Sequence, residues 1–576
     1  MTSAPRFGPV SGRFWLSLVL LLTSLAYVST LAFDFVYDDE TQIVANPRIR
    51  SWSEVPSYFT RHHWFHLYPN LPGNYYRPLF LLWLRANYAV FELKPWGWHL
   101  TTVAVHLLAT LLVCFLARRL LRNANAALWA AALFGLHPVH HEAVAWVAGV
   151  SESLVAVAML GSFLCYLRSR EAGSRARLWT LGALVLFAAG LLLKEQAVLL
   201  PLLVAGHLWL SRRQLPAVPR GAWLQSFVRT LAPYGFVTAA YVAARMAVLK
   251  GFSHTVTPLE PATLLLTLPS VVWFYLRQLL WPVGLSAFYD TPYVTEATWG
   301  GFVLPLLLVV TAGAGLAWWV KRSPEAALAA GWLLAPLLPL LNIEAFRAGE
   351  FAHDRFLYVP SVGFVLLVAL GCSGLHLGRA RRAMQLGLVA IAGLYAAGTV
   401  LQIQPWSSNL LLYYRGVQGA PSNLLARTNL ATTLVGRGLY EEAIPLYHQV
   451  LRDNSDFWLA NYNLGYAYYR TGKYSDAMRF LSRAITLDPT DPDQFLFLGL
   501  ARLGHGDLTE AEGAIRYALL LRPAAPGYHL SLGRVLKAQK RLPEALEEFQ
   551  RELAFHSASE EARAEIEQML SLPAGR

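Results

Sequence analysis

The stretch F-W-L-S-L-V-L-L-L-T-S-L-A-Y-V-S-T-L-A-F-D-F-V-Y-D-D-E, residues 14–40, decides how the rest of the chain is read. Residues 14–33 carry no charge and are nearly all apolar, the length at which an α-helix crosses a hydrocarbon core ~30 Å thick. The pair Asp38-Asp39 follows, so two carboxylates emerge at a membrane surface, where they can meet a lipid-bound substrate. The small-residue run Ser29-Thr30-Leu31-Ala32 would suit a signal-peptide cleavage site. The apolar segment exceeds a signal core of ~7–15 residues, however, and further apolar segments follow it.

Composition extends that reading to the whole chain. Of 576 residues, 55% are hydrophobic and 15% charged, with a mean hydropathy of +0.38, which is the composition of a polytopic membrane protein. The net charge of +12 comes from short arginine clusters between apolar segments, not from a basic face of the kind that binds nucleic acid, so no nucleic-acid partner is expected. Cys114, Cys165 and Cys372 lie in apolar stretches without a metal or disulfide spacing.

The clusters Arg118-Arg119-Arg122, Arg168 to Arg177, Arg212-Arg213-Arg220, Lys321-Arg322 and Arg379-Arg381-Arg382 are cytoplasmic by the positive-inside rule. Eleven crossings satisfy it: 14–33, 98–121, 124–140, 147–167, 178–193, 195–210, 226–247, 302–320, 326–342, 356–376 and 384–402. They put the C-terminus on the non-cytoplasmic side. A crossing at 264–283 would break the count, so that segment reads as a re-entrant or surface-lying helix. Residues 79–93 are short for a span and read as an interfacial helix within a first external loop, 34–97.

From about Asn423 the pattern becomes soluble and periodic. Gly465, Gly499 and Gly533 are 34 residues apart, as are Ala443, Ala477, Ala511 and Ala545, and Gly438, Gly472 and Gly506. That period marks tetratricopeptide repeats, roughly four of them, with 558–571 as a polar capping helix. The expected architecture is all-α: a polytopic membrane helix bundle over 1–405, then a soluble repeat solenoid over 406–576. Such an array reports an interaction surface and says nothing of catalysis.

Four polar groups fall on the proposed external side: Asp38-Asp39-Glu40; His137, His140, His141 and Glu142; Lys194-Glu195; and Glu350, His353, Asp354 and Arg355. Deprotonating a hydroxyl while expelling a phosphate requires a carboxylate near the nucleophile and positive charge near the leaving group, and those types are present. Each has a plainer reading. Asp38 and Asp39 would serve as solvated loop carboxylates, Lys194-Glu195 as an ion pair, and Arg355 or Arg77 as a snorkelling cation. His137, His140, His141 and Glu142 suit a divalent metal by residue type, but H-P-V-H-H-E lacks the order of zinc proteases, and a helix-end cap or a lipid-head contact explains them equally.

The strings F-V-Y-D-D-E-T-Q-I-V-A-N-P (35–47), Y-R-P-L (76–79), H-P-V-H-H-E-A-V-A-W-V-A-G-V-S-E (137–152), Y-L-R-Q-L-L-W-P-V-G-L-S (275–286) and D-R-F-L-Y-V-P-S-V-G-F (354–364), in this order and followed by the repeats, resemble the transmembrane and tetratricopeptide repeat-containing protein family. The resemblance implies a GT-C glycosyltransferase fold and protein O-mannosyltransferase activity, with a sugar taken from a polyprenyl-phosphate carrier on the non-cytoplasmic face. It implies Asp38 as general base and Asp39 as an organising residue, with the run 79–93 as a juxtamembrane helix. Arg355, Arg77 and Lys194 are then the candidate phosphate-binding cations. Two departures stand out: His141 replaces a Thr of the family pattern, and Gly149-Val150-Ser151-Glu152 lacks its Arg. The implied partners are the lipid-linked sugar, membrane lipids and a protein acceptor held by the repeats. The implied location is the inner membrane of a bacterium or the endoplasmic reticulum of a eukaryote. The contrasting reading is a non-catalytic membrane scaffold that recruits partners through its repeats; a transporter would require internal repeats among the spans, which are not seen.

Overall fold

A computed structural model describes residues 9–68, 73–214, 219–251, 258–346, 351–373 and 378–571, and every regular element among them is a helix. The chain divides into two compact units, 1–415 and 416–576.

In the first unit, nine helices among the described residues are long and apolar enough to cross a membrane. Two expected spans are shorter than predicted. The 124–140 segment is a 12-residue helix, Ala124–Gly135, and it stops where Pro138 holds His137 in an extended conformation, which ends a helix before a proline. The 356–376 segment is helical over the 14 residues Pro360–Ser373, begins at a proline, and leaves 374–376 outside the described residues. The segment expected to be re-entrant or surface-lying is one unbroken 20-residue helix, Pro261–Leu280, even with Pro269 inside it, which departs from the re-entrant form. It has spanning length and no turn at mid-depth.

The first external loop is folded. Arg48 is its anchor: the guanidinium donates to the carbonyls of His62 (3.1 Å) and Ser57 (3.0 Å), while the Tyr58 hydroxyl donates to the Arg48 carbonyl at 2.7 Å. The expected loop helix runs Pro78–Phe91, its buried face carrying Phe80, Leu81 and Leu84. Arg85, apparently misplaced in an apolar run, donates to the Ile49 carbonyl at 3.2 Å and stacks over Trp52.

The second unit contains four helix pairs, beginning with Leu424–Gly436 and Tyr440–Asp453 and ending with Tyr528–Ala538 and Leu542–Phe555, followed by the single helix Glu560–Leu570. The periodic residues have two separate jobs. Ala443, Ala477, Ala511 and Ala545 are fully buried where paired helices meet, and a Cβ on Gly465 would lie 2.7 Å from Leu481 Cγ. Gly438, Gly472 and Gly506 turn the chain between paired helices with φ of +78°, +76° and +102°. The fourth pair makes the same turn with Lys540 at φ +65°.

Candidate functional site

Asp38 and Asp39 are adjacent, yet the fold treats them differently. Asp39 is fully buried, and its two oxygens accept backbone N–H groups, Ala148 at 2.8 Å and Val36 at 3.2 Å. Ala148 opens the helical run 148–169, so Asp39 caps a helix start from a distant part of the chain. Burial pushes its carboxyl up to about 8, against the backbone donors that favour the ionised form. Asp38 is partly exposed, and its side chain has one long contact, from Gln42 Nε2 at 3.5 Å. Burial raises it above the ordinary carboxylate value, while the Arg355 guanidinium and then Gln42 pull it back.

The turn that presents Asp38 is strained. Tyr37 has φ +57°, a conformation unfavourable for a side chain with a Cβ. Its N–H donates to Asn409 Oδ1 at 2.8 Å, and Asn409 Nδ2 donates in turn to Glu40 at 2.8 Å.

The three cations left as alternatives by the sequence lie in one row with three glutamates. Arg355 pairs with Glu142 through its guanidinium, and its backbone N–H donates to the same carboxylate at 3.0 Å. Lys194 pairs with Glu152. Arg77 holds Glu195 in a bidentate fork, at 3.0 and 2.8 Å. Glu152 lies within electrostatic reach of both Arg355 and Arg77, and the Phe356 ring lies 5.1 Å from the Arg355 guanidinium and 5.6 Å from Lys194 Nζ. The sequence neighbours Lys194 and Glu195 are therefore not each other's partners: the helix Ala176–Leu193 ends just before them, Lys194 is extended, and the two side chains diverge. Burial raises the Glu142 carboxyl, and the Arg355 charge opposes that rise.

The histidines do not converge. His137 accepts the Val139 N–H at Nδ1 (3.2 Å) and donates from Nε2 to the Leu279 carbonyl (3.1 Å), while His140 Nε2 meets the Ser361 hydroxyl at 2.9 Å. The Trp406 indole N–H donates to His141 Nδ1 at 2.9 Å, which fixes the proton on Nε2, where it is donated to Asp354 at 3.0 Å. The Tyr289 hydroxyl donates to the same Asp354 oxygen at 2.6 Å. Asp354 thus positions Arg355, its chain neighbour. Among the described residues no three His, Cys, Asp or Glu side chains form a metal-binding group. Both ring nitrogens of His137 and His141 are engaged by protein partners and Glu142 is taken by Arg355, which leaves His140 Nδ1 as a single unengaged nitrogen; this set does not fit a metal and no chemical step is routed through one. Glu350 lies outside the described residues.

Sequence reasoning missed Glu152, Tyr289, Trp406 and Asn409 as parts of the site. Glu152 had a signal, an acidic residue opening an apolar helix; the other three had none.

The tetratricopeptide repeat family model matches residues 428–492 and 498–560. The human protein O-mannosyl-transferase TMTC3 is 25% identical over 90% of this chain and 62% of its own length. The Drosophila melanogaster protein O-mannosyl-transferase Tmtc2 is 40% identical over 31% of this chain and 20% of its own. The chain spans about three fifths of the length of TMTC3. Among solved structures, "MamA 41-end from Desulfovibrio magneticus RS-1" is 21% identical over 26% of this chain and 85% of that one, with a TM-score of 0.25. The chain is a multi-helix membrane protein with tetratricopeptide repeats, related along nine tenths of its length to the transmembrane and tetratricopeptide repeat-containing family.

Proposed function

We propose that the chain is an inverting glycosyltransferase that moves a mannose-like sugar from a polyprenyl-phosphate carrier to a hydroxyl of a protein acceptor on the non-cytoplasmic face. The observation that carries the reading is the division of labour at Asp38-Asp39: one carboxylate is spent on structure, while the other is left nearly uncommitted, with raised proton affinity, in the field of Arg355. A base needs that combination of an available lone pair and a proton affinity above that of a free carboxylate. The relatives named protein O-mannosyl-transferases supply the substrate class.

Asp38 takes the proton of the acceptor hydroxyl as its oxygen attacks the anomeric carbon. The bond from that carbon to the phosphate oxygen breaks, and the phosphate leaves with the electron pair. Arg355, sharing its charge between Glu142 and the phosphate, offsets the developing negative charge, with Lys194 and Arg77 extending the positive potential along the row. The repeats hold the polypeptide acceptor.

The test is transfer by the full chain, reconstituted in liposomes with polyprenyl-phosphate-linked mannose and an acceptor polypeptide. Label appearing on a hydroxyl with inverted anomeric configuration supports the reading. Transfer from a nucleotide sugar but not from the lipid donor overturns it. Failure of all donors, together with partner capture that depends on the repeats, replaces it with a scaffold.

A further inference from the structure

An apolar cavity of about 950 Å³ lies between helices Pro9–Tyr27, Ala124–Gly135 and Gly378–Ile403, and no residue of the charged row lines it. The three helices run in the same direction. Near their C-terminal ends, a Cβ on Gly135 would meet Thr23, Thr399 donates to the Leu136 carbonyl at 2.8 Å, and Gln404 reaches Ser29. Their N-terminal ends therefore share the opposite end of the cavity, and its two amide side chains, Asn125 and Gln385, sit there beside Trp15 and Trp129.

The lining continues into arginines at that end only. Gln385, Val389, Ala392 and Ala396 form one helical stripe, and Arg381 and Arg382, four and three residues before Gln385, extend it. Arg122 stands at the same end, in the turn before that helix: it is the left-handed C-cap of Pro95–Leu121, next to Asn123, which caps Ala124–Gly135. Arg122 and Arg382 are exposed and Arg381 half-buried; Arg381 and Arg382 make no salt bridge among the described residues, while Arg122 lies within electrostatic reach of Glu171, the carboxylate that Arg119 and Arg168 bind. Arginines that serve only to orient the helices need not line up with the floor of a cavity.

We infer that this cavity binds an anionic glycerophospholipid, with its phosphate on Arg122, Arg381 and Arg382 and an acyl chain along the stripe. The stretch lined by both Trp15 to Ala26 and Asn125 to Leu136 is about 16 Å long, close to half of a ~30 Å hydrocarbon core. That length matches a chain rooted in one leaflet. A sugar donor with its phosphate at Arg355 would enter from the other end, so the site is separate from the proposed chemistry and does not depend on it. Charge complementarity names the occupant: an apolar trough ending in a cluster of arginines takes an amphiphile with an anionic head.

The test uses brominated acyl chains, which quench nearby tryptophan. The full chain is reconstituted in phosphatidylcholine vesicles containing a small, equal fraction of brominated phosphatidylglycerol or brominated phosphatidylcholine. Excess quenching by the anionic lipid is expected; it should fall in Trp129→Phe and disappear in Trp15→Phe/Trp129→Phe. Apparent affinity should fall about fivefold for each of Arg122→Gln, Arg381→Gln and Arg382→Gln. Gly393→Phe provides a variant that leaves the arginines intact, because a Cβ on Gly393 meets nothing within 4 Å and the ring would occupy the trough; the excess should vanish there too. Equal quenching by the two lipids overturns the inference. So does displacement of the brominated chain by polyprenyl phosphate, which would make the trough the donor's, or cross-linking of Gly393→Cys between two copies, which would make it a helix-packing face.

Discussion

Replacing each member of the acidic pair by its amide separates base from scaffold. Asp38→Asn removes a carboxylate whose side-chain hydrogen bonding, among the described residues, is a single 3.5 Å contact from Gln42. Because the fold raises the proton affinity of Asp38, its ionised form is disfavoured in the folded protein at neutral pH, so a neutral amide there leaves stability unchanged or slightly higher. Loss of a general base costs about 10² to 10⁴ in rate, or about 3 to 5 kcal/mol in the barrier. Asp39→Asn does the reverse. Its two oxygens receive two N–H donors, an amide can accept only one of them, and a buried donor facing an NH2 group costs about 1–3 kcal/mol. Initial rates of lipid-donor transfer and thermal unfolding, measured on the same preparations in matched liposomes, give both quantities. The expected pattern is a dead, fully folded Asp38→Asn and a destabilised Asp39→Asn whose activity falls with its folded fraction. A folded Asp38→Asn with more than a tenth of wild-type rate would refute the assignment, as would an Asp39→Asn that is inactive at unchanged melting temperature.

Arg355 holds the Asp38 proton affinity down; in Arg355→Gln that affinity rises, so the acidic limb of the kcat/KM pH profile should move to higher pH, and an unmoved limb would uncouple the two residues. Glu152→Gln should destabilise the membrane unit by about 3–5 kcal/mol by leaving Lys194 buried without its partner, with most of the loss recovered in Glu152→Gln/Lys194→Met, read by thermal unfolding in detergent. Lys540→Gly should stabilise the repeats by up to ~1 kcal/mol by relieving the one turn made without glycine, and hydrogen exchange across 528–555 checks it. Gly465→Ala should lose about 1–3 kcal/mol by the same measurement, since the added methyl meets Leu481 at 2.7 Å.

The features that a sequence writes locally were readable in advance. A 34-residue period states where small residues must stand in each repeat, and a twenty-residue apolar run followed by Asp-Asp states where the acidic turn emerges. Pairings across the fold were not readable. Lys194 finds Glu152 at a separation of 42 residues, Arg77 finds Glu195 at 118 and Arg355 finds Glu142 at 213. Nothing local distinguishes these from the adjacent Lys194-Glu195 that a reader pairs first. The histidines misled for a related reason: residue type suggested a ligand set, whereas the extended backbone at His137 and the turn at Pro138 send the rings to Leu279, Ser361 and Asp354. Helix limits depended on prolines at positions 138 and 360, while Pro269 was absorbed without a break.

The left-handed Tyr37 bears on biosynthesis. Its N–H is held by Asn409, made 372 residues later. A ribosome delivers the acidic turn among the first segments of the chain, but the amide that steadies that turn arrives only when the membrane helices up to Ile403 have already been made. Until then the unfavourable backbone at Tyr37 lacks that hydrogen bond and has only the packing of its ring on Trp146 and Phe288 to steady it. A nascent or prematurely terminated chain lacking residue 409 would already contain Asp38, yet the turn that carries it would lack its hydrogen bond to Asn409.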